Sequence, residues 1–250
     1  MDAVGARMIV VLPVSPPWSE CISRRFSIAA PDASNAFETL YEAAVADVAA
    51  IAEASSGQVL VNYRDEETLP ETDRSDDPAE VCRALVDDVV SDDVRFERQV
   101  GSTPAARLGN TVTHLLEQEA AASVCVLDPL APLVRRADVD GVPMKVRRDS
   151  VILGPDGTGD VYLAAFTDPI DFTDACEPPV LSTLAERARE ADRSIGFTPT
   201  VPRVTTDTGI TATAAAIDAR RAANEPVPDA TAAALEDLGF ANRDRDEPDA

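Results

Sequence analysis

Short, uninterrupted apolar runs punctuate this chain, and their length and order constrain the fold more than any single motif does. Met8-Ile9-Val10-Val11-Leu12 is too continuous for a strand with one wet face, so it predicts a strand buried on both faces that stops at Pro13. Ser123-Val124-Cys125-Val126-Leu127 has the same character and ends at Asp128-Pro129. Further strands are predicted at Gln58 to Tyr63, near Val94 to Val100, at Ser150 to Leu153 and at Val161 to Phe166. The last two flank Gly154-Pro155-Asp156-Gly157-Thr158-Gly159, a turn composition that predicts a hairpin.

Between the runs the apolar spacing changes to three and four residues. Phe37, Leu40, Tyr41, Val45, Val48 and Ile51 share one helical face, with Asn35 and Glu38 spaced as a capping box and Gly57 as the stop. A second helix is predicted from Pro78 to about Val90. Thr103-Pro104 supplies a cap and a first-turn proline for a third, whose face carries Leu108, Val112, Leu115 and Leu116. Helices follow at about Val180 to Ala191 and Ile210 to Ala223, and the stretch from Phe197 to Val204 between them reads as an edge strand. This alternation predicts a three-layer α/β/α domain over residues 1–223, built on a doubly wound, mostly parallel sheet with some antiparallel strands. Residues 224–250 differ in kind. Asp229 is placed to cap a short helix ending at Leu238 and Gly239, and Asn242 to Ala250 is nearly all charge and proline, which predicts a disordered acidic tail.

Charge decides which partners the surface tolerates. The chain carries 45 acidic residues against 22 Lys and Arg, a formal net charge of -23, and Lys145 is its single lysine. The acids are dispersed in short runs such as Asp65-Glu66-Glu67, Asp87-Asp88 and Asp92-Asp93. Dispersed acidity with arginine in place of lysine predicts a halophilic protein, because concentrated salt screens the self-repulsion such a surface creates. The same field repels nucleic-acid backbones and anionic membranes. Arg135, Arg136, Lys145, Arg147 and Arg148 form the densest basic group, which reads as surface charge or as a contact for an anionic ligand. No run approaches the ~18 apolar residues of a membrane span, and Met8 to Val14 is too short for a signal peptide, so a cytoplasmic protein is expected. Cys21, Cys82, Cys125 and Cys176 form no C-x-x-C pair and are expected to be reduced thiols.

In a doubly wound sheet, ligands bind outside the carboxyl ends of the strands. That rule directs attention to Pro13 to Arg25, Asp128 to Leu133 and Gly154 to Asp160. Asp128 follows an apolar strand directly, where a carboxylate reaches a hard divalent cation or simply starts a turn. The glycines around Asp156 and Asp160 either let two carboxylates approach a polar ligand or form an ordinary hairpin turn. Asp207 is an N-cap by position, or a second metal ligand. His114, the only histidine, falls beside Leu115 on a helix and has no nucleophile near it in the pattern, which argues against a hydrolase triad. No G-x-S-x-G, P-loop or G-x-G-x-x-G pattern follows a strand.

Several of these pieces, in order, resemble the small glycosyltransferase-A-like family catalogued as domain of unknown function twenty sixty-four, whose relatives include glycosyltransferases of arsenosugar biosynthesis. The resemblance covers roughly residues 8 to 218 and rests on Met8 to Val14, Gln99-Val100-Gly101 with Arg107-Leu108, Leu127-Asp128-Pro129, Leu153-Gly154-Pro155 to Tyr162-Leu163, and Asp207-Thr208. It implies a nucleotide-diphospho-sugar transferase fold, with Pro13, Arg24, Arg25 and Arg107 about the nucleotide. It also implies a divalent metal, Mg or Mn, on Asp128 with support from Asp207, and a catalytic carboxylate in the glycine-rich turn at the sugar or acceptor, a role that falls here to Asp156 and Asp160 by a small shift. The family's glycine and lysine after the first strand are replaced here by Pro16-Pro17-Trp18 to Arg25. Its second carboxylate after Asp128 is replaced by Pro129-Leu130-Ala131, and its turn aspartate falls on Thr158. Two functions follow as expectations: metal-assisted transfer from a nucleotide-diphospho-sugar, or a binding or regulatory module that kept the fold without the chemistry. An unrelated doubly wound domain is the third.

Overall fold

Both faces of the first apolar run are covered, as its continuity requires. The computed structural model describes residues 7–28, 34–70 and 74–240; the acidic tail expected beyond Asn242 lies outside them. Strand β1 (Met8–Val14) sends Met8, Val10, Leu12 and Val14 to one face and Ile9 and Val11 to the other, the two-residue period of a pleated strand. Each Val or Leu buried this way stabilises the fold by about 1.5–3 kcal/mol before the cost of ordering it.

The chain continues through α1 (Ser19–Ile22), α2 (Ser34–Glu53), β2 (Gln58–Tyr63), α3 (Pro78–Ala84), β3 (Arg95–Arg98), α4 (Pro104–Glu117) and β4 (Ser123–Leu127). Then come α5 (Arg136–Asp140), α6 (Val142–Lys145), β5 (Val151–Pro155), β6 (Val161–Phe166), α7 (Val180–Glu190), β7 (Ile195–Phe197), α8 (Asp207–Ala222) and α9 (Asp229–Asp237). The seven strands are ordered β3-β2-β1-β4-β6-β5-β7. Only β6 is reversed: it pairs antiparallel with β4 and β5, while the pairs β1-β2, β1-β4, β2-β3 and β5-β7 are parallel. Helices α2, α3, α8 and α9 pack on one face, and α4 and α7 on the other. The result is the three-layer, doubly wound, mostly parallel α/β fold read from the sequence, with the expected hairpin at β5 and β6.

Several boundaries differ from the sequence expectation for identifiable reasons. β1 runs through Pro13, which pairs in register with Asn62 of β2. The Val14 carbonyl accepts from the Arg64 N–H on the β2 side, so Pro13, one residue earlier, turns its missing N–H toward β4. Pairing of β1 with β4 has already ended at Val11, and no ladder bond is lost. The helix begun at Pro78 ends at Ala84, and the edge strand expected over Phe197 to Val204 is not formed there: β7 is Ile195–Phe197, and 198–204 leave the sheet because their N–H groups bond to the loops after β4 and β5. Helix α8 is capped by Thr206, which accepts from the Gly209 N–H, and Asp207 is its first helical residue. The cap of α9 is likewise not Asp229: the Asp47 carboxylate of α2 accepts from the N–H groups of Ala230 and Thr231. Glu38 accepts from the backbone N–H and hydroxyl of Ser19, and the Asn35 side chain of the expected capping box lies outside the described residues. Among the described residues no helix is long and apolar enough to cross a membrane.

Candidate functional site

Because β1, β4, β5 and β7 run in one direction, the segments that follow them leave the same edge of the sheet. Backbone bonds sew these segments together. Ser27 N–H donates to the Thr205 carbonyl at 2.7 Å, Val204 N–H to that of Leu130 at 2.9 Å, and Val201 N–H to that of Pro155 at 3.1 Å. The stretch after β7 is thereby threaded between the loops after β1, β4 and β5. At its centre stands Arg203.

Each edge of the Arg203 guanidinium meets a different carboxylate. Nη1 donates to Asp128 Oδ2 at 2.8 Å, Nε to Asp156 Oδ2 at 3.1 Å, and Nη2 to Asp160 Oδ2. The remaining oxygens are also engaged. Asp128 Oδ1 accepts from Arg25 Nη2 and the Leu130 N–H, both at 2.9 Å. Asp156 Oδ1 accepts from the N–H groups of Thr158 and Asp160, its Oδ2 from the Thr158 hydroxyl, and Asp160 Oδ1 from the Val161 N–H. This tight turn needs its glycines, since Gly157 and Gly159 sit at φ of +89° and +99°. Gly209 fixes the other side: a Cβ there would stand 1.9 Å from the Arg203 carbonyl oxygen, so only glycine lets α8 start so close to the arginine's backbone.

The charges reinforce one another. Burial works against ionising Asp128, but Arg25 and Arg203 outweigh it and hold the carboxyl below the usual range. Burial opposes ionisation of Asp156 too, and the Thr158 bonds with Arg203 win. At Asp160 burial prevails and raises the carboxyl. Arg203 is buried as well, and its carboxylates hold the proton all the more firmly.

Of the residues singled out in the sequence, Arg25, Asp128, Asp156 and Asp160 come together. Arg24 is exposed in the single turn Ser23–Arg25, and Pro13 lies within β1. Arg107 is half-buried in the first turns of α4, donating to the Gly101 carbonyl at 3.4 Å. Asp207 is exposed at the start of α8 and is not among the carboxylates on Arg203. His114 is exposed on α4 beside Glu119, and the exposed Arg135 and Arg136 pair with buried Asp138 and half-buried Asp140. The sequence reading missed Arg203. Its only local sign is Gly209 in the first turn of a helix, and a glycine does not announce which backbone approaches it.

A divalent cation here would need open carboxylate lone pairs and a surplus of negative charge. As the side chains stand, the oxygens of Asp128, Asp156 and Asp160 that face one another are taken by Arg203, and two guanidinium groups oppose three carboxylates. Among the described residues no group of three or more His, Cys, Asp or Glu is placed to hold a metal ion. The arrangement does not fit a resident metal. It fits a salt-bridged hub that ties the loop after β4 and the β5-β6 turn to the segment entering α8.

No protein-family model matches this chain. No curated protein matches it in sequence. Among solved structures, it is similar to a provisionally assigned nucleotide-diphospho-sugar transferase from Desulfovibrio desulfuricans G20, with a TM-score of 0.70 and 14% identity over 94% of this chain and 96% of that one. At that identity the likeness shows the fold, and the chain has a nucleotide-diphospho-sugar transferase-like fold. Looser matches include a cytidylyltransferase from Leptospira borgpetersenii serovar Hardjo-bovis (strain JB197), TM-score 0.48 and 10% identity over 97% and 98% of the two chains. Another is a manganese complex of a Mycobacterium tuberculosis H37Rv protein, TM-score 0.41 and 8% identity over 79% and 89%. Similarity at that level carries no argument about this chain.

Proposed function

We propose that this chain binds a nucleotide-diphospho-sugar at the carboxyl edge of its sheet as a cytoplasmic binding or regulatory module, distantly related to the family resembled by Leu127-Asp128-Pro129 and Leu153 to Leu163. One observation carries the reading. Arg203 bridges Asp128, Asp156 and Asp160, so a side chain supplies the positive charge that a cation would bring to this position. Metal-assisted glycosyl transfer, with Asp128 and Asp207 on Mg or Mn and Asp156 and Asp160 at the sugar, is the second reading. It is favoured by the place of Asp128 at the end of β4, and it requires Arg203 to withdraw.

Thermal shifts with UDP-, GDP- and CDP-sugars in molar salt, with and without Mn, separate the two. Binding at a hundredfold excess over Kd raises stability by ~2.7 kcal/mol, and the expected shift is the same in EDTA as in Mn. Arg203→Ser leaves three carboxylates facing a vacated space, so this variant, unlike the wild type, should gain stability from Mn alone. A nucleotide shift that appears only with Mn and vanishes in Asp128→Ala would establish the transferase reading instead.

A further inference from the structure

Two other arginines at the same edge of the sheet are built differently from Arg203. Arg64 directly follows β2, and its backbone N–H donates to the Val14 carbonyl at 3.0 Å, which places it at the carboxyl ends of β1 and β2 together. Arg107 lies in the first turns of α4, one turn before Thr111, whose hydroxyl donates to Asn62 Oδ1 of β2 at 3.1 Å. Residues four apart share a helical face, so Arg107 lies over the end of β2 from which Arg64 emerges. Each arginine uses one arm to hold a loop carbonyl, Arg64 that of Thr68 and Arg107 that of Gly101. Neither forms a salt bridge with any carboxylate among the described residues, and the Arg64 Nε is buried with no partner there. In a chain with 45 acidic residues and 22 Lys and Arg, two half-buried guanidinium groups without a counter-charge among the described residues stand out.

Arg64 also repels Arg107. Burial and the neighbouring Arg25 lower the Arg64 guanidinium, and burial and Arg64 lower that of Arg107. In the sheet β1 lies between β2 and β4, so Arg64 after β2 and Asp128 after β4 leave the same edge one strand apart, which sets the two arginines beside the Arg203 hub. The positive end of α4, 14 residues long, adds to the same field. An anion with several acceptor oxygens would satisfy the idle N–H groups and relieve the repulsion.

We propose that Arg64 and Arg107 form an anion subsite for a diphosphate group, beside the hub of Arg25, Asp128 and Arg203 and separate from it. This rests on the nucleotide reading above only for the source of the diphosphate, which is either free pyrophosphate or part of a nucleotide. The guanidinium groups of the hub are already engaged by its three carboxylates, so the diphosphate belongs at the arginines outside it.

The test is calorimetric titration of the full chain with inorganic pyrophosphate, and separately with UDP and a UDP-sugar, at fixed ionic strength in EDTA. Wild type should bind pyrophosphate. Arg64→Gln and Arg107→Gln should each weaken binding by about tenfold or more, as expected for a lost charge-assisted bond, while Arg189→Gln, exposed on α7, should not. Arg64→Lys keeps the charge and should lose less than Arg64→Gln; melting each variant without ligand shows that it is folded. The subsite is overturned if wild type does not bind pyrophosphate, or if both glutamine variants bind it as wild type does. Nucleotide binding that survives both substitutions sinks the subsite and leaves the nucleotide reading standing. Pyrophosphate binding sensitive to both substitutions, without binding of UDP or its sugar, upholds the subsite and sinks that reading.

Discussion

At Arg203 one guanidinium replaces the water of three carboxylates, and its side chain is only 12% exposed. Removing one partner from such a group leaves the others buried and uncompensated, a loss on the order of 3–5 kcal/mol. Asp128 reports on this through pH. Its folded pKa is depressed below the ordinary 3.8, so the stability its ionised form contributes is complete above that value and is lost as pH falls through the folded value. Asp160, raised by burial, acts in the opposite sense, which is why a single-site comparison is needed. The gap in urea midpoint between wild type and Asp128→Asn should be constant near neutrality and close as the pH drops below 3.8. A gap that widens in acid would mean that Asp128 is not held ionised by its arginines. None of this geometry was legible locally. Asp128, Asp156 and Asp160 could be named as carboxylates at strand ends, but the residue that joins them enters from a segment that reads only as a weak strand.

Among the elements, α9 shows how a helix can be legible while its attachment is not. The pattern from Asp229 to Gly239 predicts a short helix, and Gly239 at φ +72° ends it as expected. Its cap, however, comes from Asp47 in α2, far away in sequence. Thr231, Ala232, Ala234 and Leu235 are buried, so α9 is docked on the domain rather than trailing from it. Asp47→Ala should therefore cost about 1 kcal/mol, the usual loss for a cap. Hydrogen exchange should show it as lost protection over residues 229–238, with β1 and β4 unchanged. Uniform loss across the molecule would assign Asp47 to the core instead. Helix α4 is the contrasting case: Thr103 accepts from the Ala106 N–H and Pro104 opens the first turn, both local signals that the sequence displays in full.

For the whole molecule the dominant quantity is the net charge of -23. Self-repulsion of that size is screened over a Debye length of ~10 Å at 0.1 M salt and ~3 Å at 1 M. Tm should accordingly climb steeply as KCl is added at the low end and level off toward molar salt; a Tm that is flat or falls over the low range would contradict the halophilic reading. The layer architecture, the doubly wound sheet and the hairpin at β5 and β6 were determined by the sequence alone. Period-two and period-3.6 burial are properties of adjacent residues, and β1 and β4 are apolar at nearly every position because both their faces are covered. Which charges meet was decided only by the tertiary structure. Coulomb interaction depends on separation in space, and Arg203 reaches Asp128 across 75 positions of chain because three backbone hydrogen bonds draw its segment between the loops.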